Sequence, residues 1–316
     1  HGRPALPARR RVPPRWAIGL SFATMMAFAQ VLVSGIAVGC VYGLVALSFV
    51  LIYKATETVS FMQGELLMVG AFTALALDAG AGWPAVWAVP AAIGAMVLVG
   101  AVLERGVLRR AIGQPHLTAL LLTFGLGMIL RGAVTAVPAA SQSIHRLSLP
   151  FGDQPLVWGS LVIAVEHVIV IVATVLLAGL LTVFFQRSRT GLALRACSEN
   201  PRAAALMGIS VAGMHTVAWA LGAGLAACAG LLLAPVTFVH VNMGLIALKA
   251  FPAAVLGGMT SLPGALLAGV FLGAAEAVAG LVLPEGVKDV VPYVLLIAVL
   301  LLFPNGFGGG LRRRRP

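Results

Sequence analysis

The sequence predicts an all-α fold, a polytopic membrane helix bundle of 8–10 transmembrane helices, and three observations predict it. The first is composition: the 316 residues are 60% hydrophobic and 10% charged, with a mean hydropathy of +1.03. A water-soluble fold needs roughly 25% charged residues to cover its surface. The second is spacing: no Asp, Glu, Lys or Arg occurs in 16–53, 79–103, 203–248, 250–275 or 290–311. Apolar runs of about 18 residues or more read as spanning helices. Their recurrence to the end of the chain sets a signal peptide aside, and the alternating segments of a β-barrel are missing. The third is charge. Lys and Arg number 21 against 10 Asp and Glu, a net +11. Most of the excess sits at Arg3, Arg9, Arg10, Arg11 and Arg15, at Arg105, Arg109 and Arg110, at Arg187, Arg189, Arg195 and Arg202, and at Arg312 to Arg315. Basic clusters beside apolar spans mark cytoplasmic loops, with anionic lipid head groups as partners of the tails rather than nucleic acid.

A basic tail at 1–15 precedes a transmembrane domain at 16–307, and a second basic tail occupies 308–316. Cutting the apolar blocks at Gly, Pro and charges places spans at 28–53, 61–77, 84–103, 117–136, 156–185, 211–233, 243–256, 263–283 and 290–303. Cytoplasmic positions for 104–114, 186–208 and the Arg312–Arg315 cluster satisfy every alternation, with 137–155 and 283–289 outside. Nine crossings then put the N-terminus outside, against its five arginines. A helix over 16–53 would run about 57 Å, nearly twice the hydrocarbon core. Either it crosses twice, at 16–34 and 36–53, or 1–15 is an extension before a start near Met25 or Met26.

Gly35, Gly39 and Gly43 recur every four residues, as do Gly269 and Gly273, a spacing that lets helices pack closely within the bundle. Cys40, Cys197 and Cys228 form no even framework and read as small buried side chains. No HExxH, CxxC or GxSxG occurs and no lysine completes a phosphate loop, so no catalytic or metal-ligating set stands out.

Ionisable groups within spans are costly and are functional candidates by default. Glu65 follows Gln63 and Gly64, Glu166 precedes His167, and Glu276 lies among Ala and Gly. All three read as isolated carboxylates without basic partners nearby. Glu65 has two readings, a substrate contact or a first-turn carboxylate that complements the helix dipole. Two segments interrupt helix at membrane depth: TETVSFMQG (56–64), and LGGMTSLPG (256–264) with Gly257 and Gly258. Broken backbone there lines a translocation pathway or forms a tight loop.

The loop at 186–210 places Leu192, Ala193, Ala196, Ala203, Ala204 and Met207 around Arg195, Glu199 and Arg202. This predicts short amphipathic helices broken at Asn200-Pro201, with Gly208 as a helix stop. Short helices outside the bilayer between two long spans present a docking surface.

Four motifs in order make the sequence resemble a known family. They are VSFMQGELLMVGAF (59–72), LERGVLRRAIGQPHLTALLLTFGLGMIL (103–130), TGLALRACSENPRAAALMGI (190–209) and LKAFPAAVLGGMTSLPGALLAGVFLGAAEA (248–277). The chain resembles the inner-membrane permease subunits of branched-chain amino-acid ABC importers, of the LivH type, from about 28 to 307. Ser60, Met62 and Gln63 stand where that family's motif has Asn, Ala and His. The resemblance implies the larger, type II-like importer fold and a bacterial inner-membrane location. It also implies a second permease subunit, identical or homologous, two ATP-binding subunits that carry ATP and Mg, and an extracytoplasmic substrate-binding protein. This chain would then bind no cofactor and catalyse nothing itself. Arg195, Ala196, Glu199, Asn200, Pro201, Arg202, Met207 and Gly208 would couple to the ATPase, and Gln63, Gly64, Glu65, Glu166, Gly257, Gly258 and Glu276 would border the pathway. A proton-coupled secondary transporter working through Glu166 or Glu276 is the alternative.

Overall fold

Charge-free apolar stretches leave the backbone no hydrogen-bond partner but itself in hydrocarbon, so they fold as helices. In the computed structural model, which describes residues 15–111, 113–138, 144–147, 156–158, 161–284 and 286–302, all nine expected spans contain helix. The helices are α1 (Arg15–Thr56), α2 (Gln63–Leu75, extended by a π turn over Ala76–Gly80), α3 (Ala85–Gly106), α4 (His116–Thr135) and α5 (Val165–Arg187). There follow α6 (Arg189–Glu199), α7 (Pro201–Leu206), α8 (Val211–Thr237), α9 (Ile246–Gly257, after a 3₁₀ turn over Val241–Leu245), α10 (Leu262–Ala279) and α11 (Val291–Leu302). Among the described residues, six helical stretches are long and apolar enough to cross a membrane: Met25–Thr56, Ala85–Gly106, Leu117–Thr135, Val165–Arg187, Val211–Thr237 and Leu262–Ala279. The spans at α2, α9 and α11 are shorter helices.

Two expectations change. The 156–185 span begins as an antiparallel hairpin, β1 (Leu156–Trp158) with β2 (Leu161–Ile163), and becomes helix only at Val165. Its Val, Ile and Trp residues suit a strand as well as an apolar helix. The double crossing at 16–34 and 36–53 does not occur, because α1 is one helix of 42 residues, about 63 Å long. No proline interrupts that helix. Its N-terminal half meets the hairpin end of the molecule, where Gln30 Nε2 donates to the Val162 carbonyl at 3.3 Å and Ser34 Oγ lies 3.4 Å from His167 Nε2. Its C-terminal end packs by α6. The expected tails, with most of the N-terminal arginines and Arg312–Arg315, lie outside the described residues.

The core is built on α1, α8 and α10. Along α1 and α10 the glycine spacing brings backbones together: a Cβ on Gly39 would lie 2.8 Å from the Val270 Cα, and one on Gly43 2.7 Å from Leu266 Cδ1. The small-residue stripe is therefore an intramolecular seam. Helix α8 runs among α1, α2, α3 and α5. Leu44, Leu51, Ile52, Leu67, Leu233 and Leu256 are sealed inside. At the periphery α4 exposes Leu121, Phe124 and Ile129, and α5 exposes Val175 and Leu180, surfaces that suit lipid or a partner rather than water.

Candidate functional site

The break after α1 positions the most polar ground in the interior. Glu57, in the left-handed region at φ 53°, ends α1, and α2 restarts at Gln63. Ser48 Oγ donates to Gln63 Oε1 at 3.2 Å, and both residues are fully buried. Ser48 lies eight residues, or about 12 Å, before the end of α1, so α2 starts well inside the bundle. Backbones meet closely there: a Cβ on Gly244 would lie 3.0 Å from the Gly64 carbonyl oxygen and 3.3 Å from Glu65 Oε2. A Cβ on Gly64 would collide with the Gly244 carbonyl oxygen, so only glycine fits on the α2 side of that contact.

Glu65 is paired. Arg131 Nη1, from α4, donates to its Oε1 at 3.3 Å, and Arg131 Nη2 donates to Asn242 Oδ1 at 2.8 Å. The other carboxylate oxygen, Oε2, and the Gln63 amide Nε2 are buried with no hydrogen-bond partner among the described residues. Unpartnered buried polar atoms cost free energy and call for an explanation.

Glu276 is also paired. Lys249 Nζ donates to its Oε1 and to Asp289 Oδ1, both at 2.7 Å, and the Tyr42 hydroxyl donates to its Oε2 at 2.8 Å. The expectation of isolated carboxylates without basic partners is thus overturned for Glu65 and Glu276. Arg131 and Lys249 were visible as charges in apolar runs, but their partners lie 66 and 27 residues away. Asn242 carried no signal in the sequence. Glu166 stands apart, in the first turn of α5 beside His167.

The second break forms as the sequence indicates. Helix α9 stops at Gly257, Gly258 takes φ 87°, and Ser261 Oγ caps α10 by accepting from the Gly264 N–H at 3.2 Å. The close approach of Gly257 and Gly264 leaves no room for a side chain on either. Phe251 on α9 joins this region to the first break, its ring 5.7 Å from that of Phe49 and 6.0 Å from that of Phe61.

At the C-terminal end of α1, near Thr56–Thr58, Glu104 is buried and holds α3 to α8. It accepts from Arg109 Nε at 3.2 Å, Arg109 Nη2 at 3.1 Å and Thr216 Oγ1 at 2.6 Å. Beside it, Ser188 Oγ caps α6 by accepting from the Gly191 N–H, and Asn200 Oδ1 caps α7 by accepting from the Ala203 N–H at 3.0 Å. Gly208 ends the pair at φ 81°. Leu194, Cys197 and Ala204 face inward, with α6 resting on the ends of α1, α5 and α8. Arg195, Glu199, Asn200, Pro201 and Arg202 are exposed, Ala196 is half-buried, and Leu206 and Met207 are 89% and 83% exposed. Exposed apolar side chains beside charges, outside every candidate span, fit a docking surface.

Comparison with known proteins extends the picture. A family model described as branched-chain amino acid transport system / permease component matches residues 31–300. The chain is 36% identical over 297 residues to the high-affinity branched-chain amino acid transport system permease protein BraD of Pseudomonas aeruginosa, covering 89% of this chain and 96% of BraD. It is 33% identical over 296 residues to the corresponding permease protein LivH of Escherichia coli K12, with 89% and 96% covered. A solved structure, PsaBC from Streptococcus pneumoniae in complex with Fab, superposes with a TM-score of 0.50 at 16% identity over 92% of this chain and 97% of that one, a likeness of fold.

Proposed function

The chain belongs to the branched-chain amino-acid transport permease family, and from that premise we propose that it carries branched-chain or other small apolar amino acids across the bacterial inner membrane. It is a multi-pass membrane protein and a permease component, so it acts within a transporter complex and is not itself an enzyme. A second permease, identical or homologous, completes the pathway. Two ATP-binding subunits, which hold ATP and Mg while this chain binds no cofactor, dock on α6 and α7. An extracytoplasmic binding protein delivers substrate to the opposite face. In this reading Arg195, Ala196, Glu199, Asn200, Pro201, Arg202, Met207 and Gly208 meet the ATPase, while Gln63, Gly64, Glu65, Gly257 and Gly258 border the route at the two helix breaks. Glu166 and Glu276 flank it from the hairpin side.

The observation that carries the reading is the exposed amphipathic pair α6–α7, seated on the ends of three spanning helices in a chain of this family. Closure of two ATPases around ATP can push such a pair as a rigid lever because Leu194 and Cys197 anchor it. A proton relay through Glu276 finds less support, since that carboxylate is held by Lys249 and Tyr42.

The test is uptake of labelled leucine into vesicles that hold this permease with its partner subunits. Uptake is expected to require ATP, and Arg195→Glu or Glu199→Lys is expected to cut it at least tenfold while ATP hydrolysis continues uncoupled and membrane insertion is normal. Uptake that persists without the ATPase and fails in Glu166→Gln or Glu276→Gln would establish proton coupling instead.

A further inference from the structure

We propose that the cleft between α2 and α4 receives the amino acid itself, with Glu65, Arg131 and Asn242 at its floor engaging the charged head and the apolar walls holding a branched side chain. The inference rests on the amino-acid permease reading and gives it a site.

A cavity of about 620 Å³ separates the outer halves of α2 and α4. Its walls include Val69, Phe72 and Ala76 from α2 and Leu130, Ala133 and Val134 from α4. Glu65, Val69, Phe72 and Ala76 recur at intervals of three and four and share one face of α2; Gly127, Leu130 and Val134 do the same on α4. The two stripes converge at Glu65 and Gly127, where a Cβ on Gly127 would come within 3.3 Å of Glu65 Cγ. Glu65 therefore sits one helical turn beyond the residues that line the cavity, at the end nearer the break before α2. Gly80, Val137 and His145 line its other end, at the end of the molecule away from α6 and α7. That is the face on which substrate arrives.

The chemistry at the floor matches a zwitterion. Glu65 and Arg131 keep 12% and 22% of their side-chain surface, and Glu65 Oε1 accepts from Arg131 alone among the described residues, so an ammonium group can supply a second donor. Arg131 uses two N–H groups, on Glu65 and Asn242, of the five a guanidinium carries. The others suit a carboxylate, which guanidinium binds through paired hydrogen bonds. A buried pair kept for structure alone bears a desolvation cost that apolar packing would avoid, and it gains little from leaving one oxygen bare. Apolar walls of this size with a few polar groups at one end have the make-up of small-molecule sites. The walls reject charge, so the head group must lie at the floor and the aliphatic chain above it.

Direct binding tests this on the permease–ATPase complex in lipid nanodiscs without the binding protein. The probes are L-leucine, 4-methylpentanoate, which lacks the ammonium, 3-methylbutylamine, which lacks the carboxylate, and L-alanine. Glu65→Gln and Arg131→Gln are each expected to weaken leucine at least tenfold. Glu65→Gln should leave 4-methylpentanoate unchanged, and Arg131→Gln should leave 3-methylbutylamine unchanged. Ala133→Phe, which fills the wall, should weaken leucine at least tenfold more than alanine. A merely structural ion pair would weaken all probes alike, and that result overturns the proposal, as does leucine binding unaffected by either floor variant. A wild-type complex that imports leucine but binds none at this cleft overturns the site and leaves the permease function standing. One that binds leucine with this pattern yet imports no amino acid overturns the function and leaves the site.

Discussion

Lys249 shows how one side chain ties three segments together. Its ammonium reaches Glu276 on α10 and Asp289 in the turn before α11, each at 2.7 Å. The hydrogen bond from Lys249 holds the Asp289 carboxyl below its ordinary value near 3.8. A depressed carboxylate stabilises the fold above its unfolded pKa and loses that contribution as pH falls through the folded one. Asp289→Asn is thus expected to lower the melting temperature at neutral pH, with the gap from wild type closing below about pH 3.8. The side chain is 49% exposed, and half-exposed pairs contribute at most about 1 kcal/mol. Melting curves of the two proteins at stepped pH check this; a gap unchanged in acid would mean that the ion pair is not its source. At this scale the sequence displayed charged residues in apolar runs but not their pairing. Glu65 and Arg131 meet only because α2 and α4 lie side by side.

Among the elements, the seam of α1 and α10 was legible and its consequence can be measured. Gly39→Leu forces a side chain into Val270, and overpacking of this kind costs about 1–3 kcal/mol. Gly179→Leu on α5, where nothing lies within 4 Å, is expected to be nearly neutral. Thermal unfolding of the two variants in detergent separates them, and equal losses would mean that the seam is not tightly packed. The short helices α6 and α7 were legible too, because Asn200-Pro201 and Gly208 are local signals that caps and stops require. The hairpin at 156–163 was not, since a short run of Leu, Val and Ile satisfies strand and helix alike and its pairing decides.

Over the whole molecule, α1 runs from the hairpin end to the end that carries α6 and α7, so the two faces are set by packing. Ala205, in α7, and Ala81, in the turn before α3, lie on opposite faces and are both exposed. Ala205→Cys is expected to react with a membrane-impermeant thiol reagent from the cytoplasmic side and Ala81→Cys from the outside. The native cysteines are all buried, and burial raises the Cys197 thiol above its ordinary value, which keeps the background low. Labelling of both from one side would refute this arrangement. By itself the sequence determined the class of fold, the place of most spans, the two breaks and the amphipathic loop at 186–210, because hydropathy, capping residues and glycine act over a few neighbouring positions. Tertiary structure alone decided that α1 crosses unbroken, that Glu65 and Glu276 find Arg131 and Lys249, and that a cleft rises above the first of these pairs. Those outcomes depend on which helices pack together, and no local pattern records that.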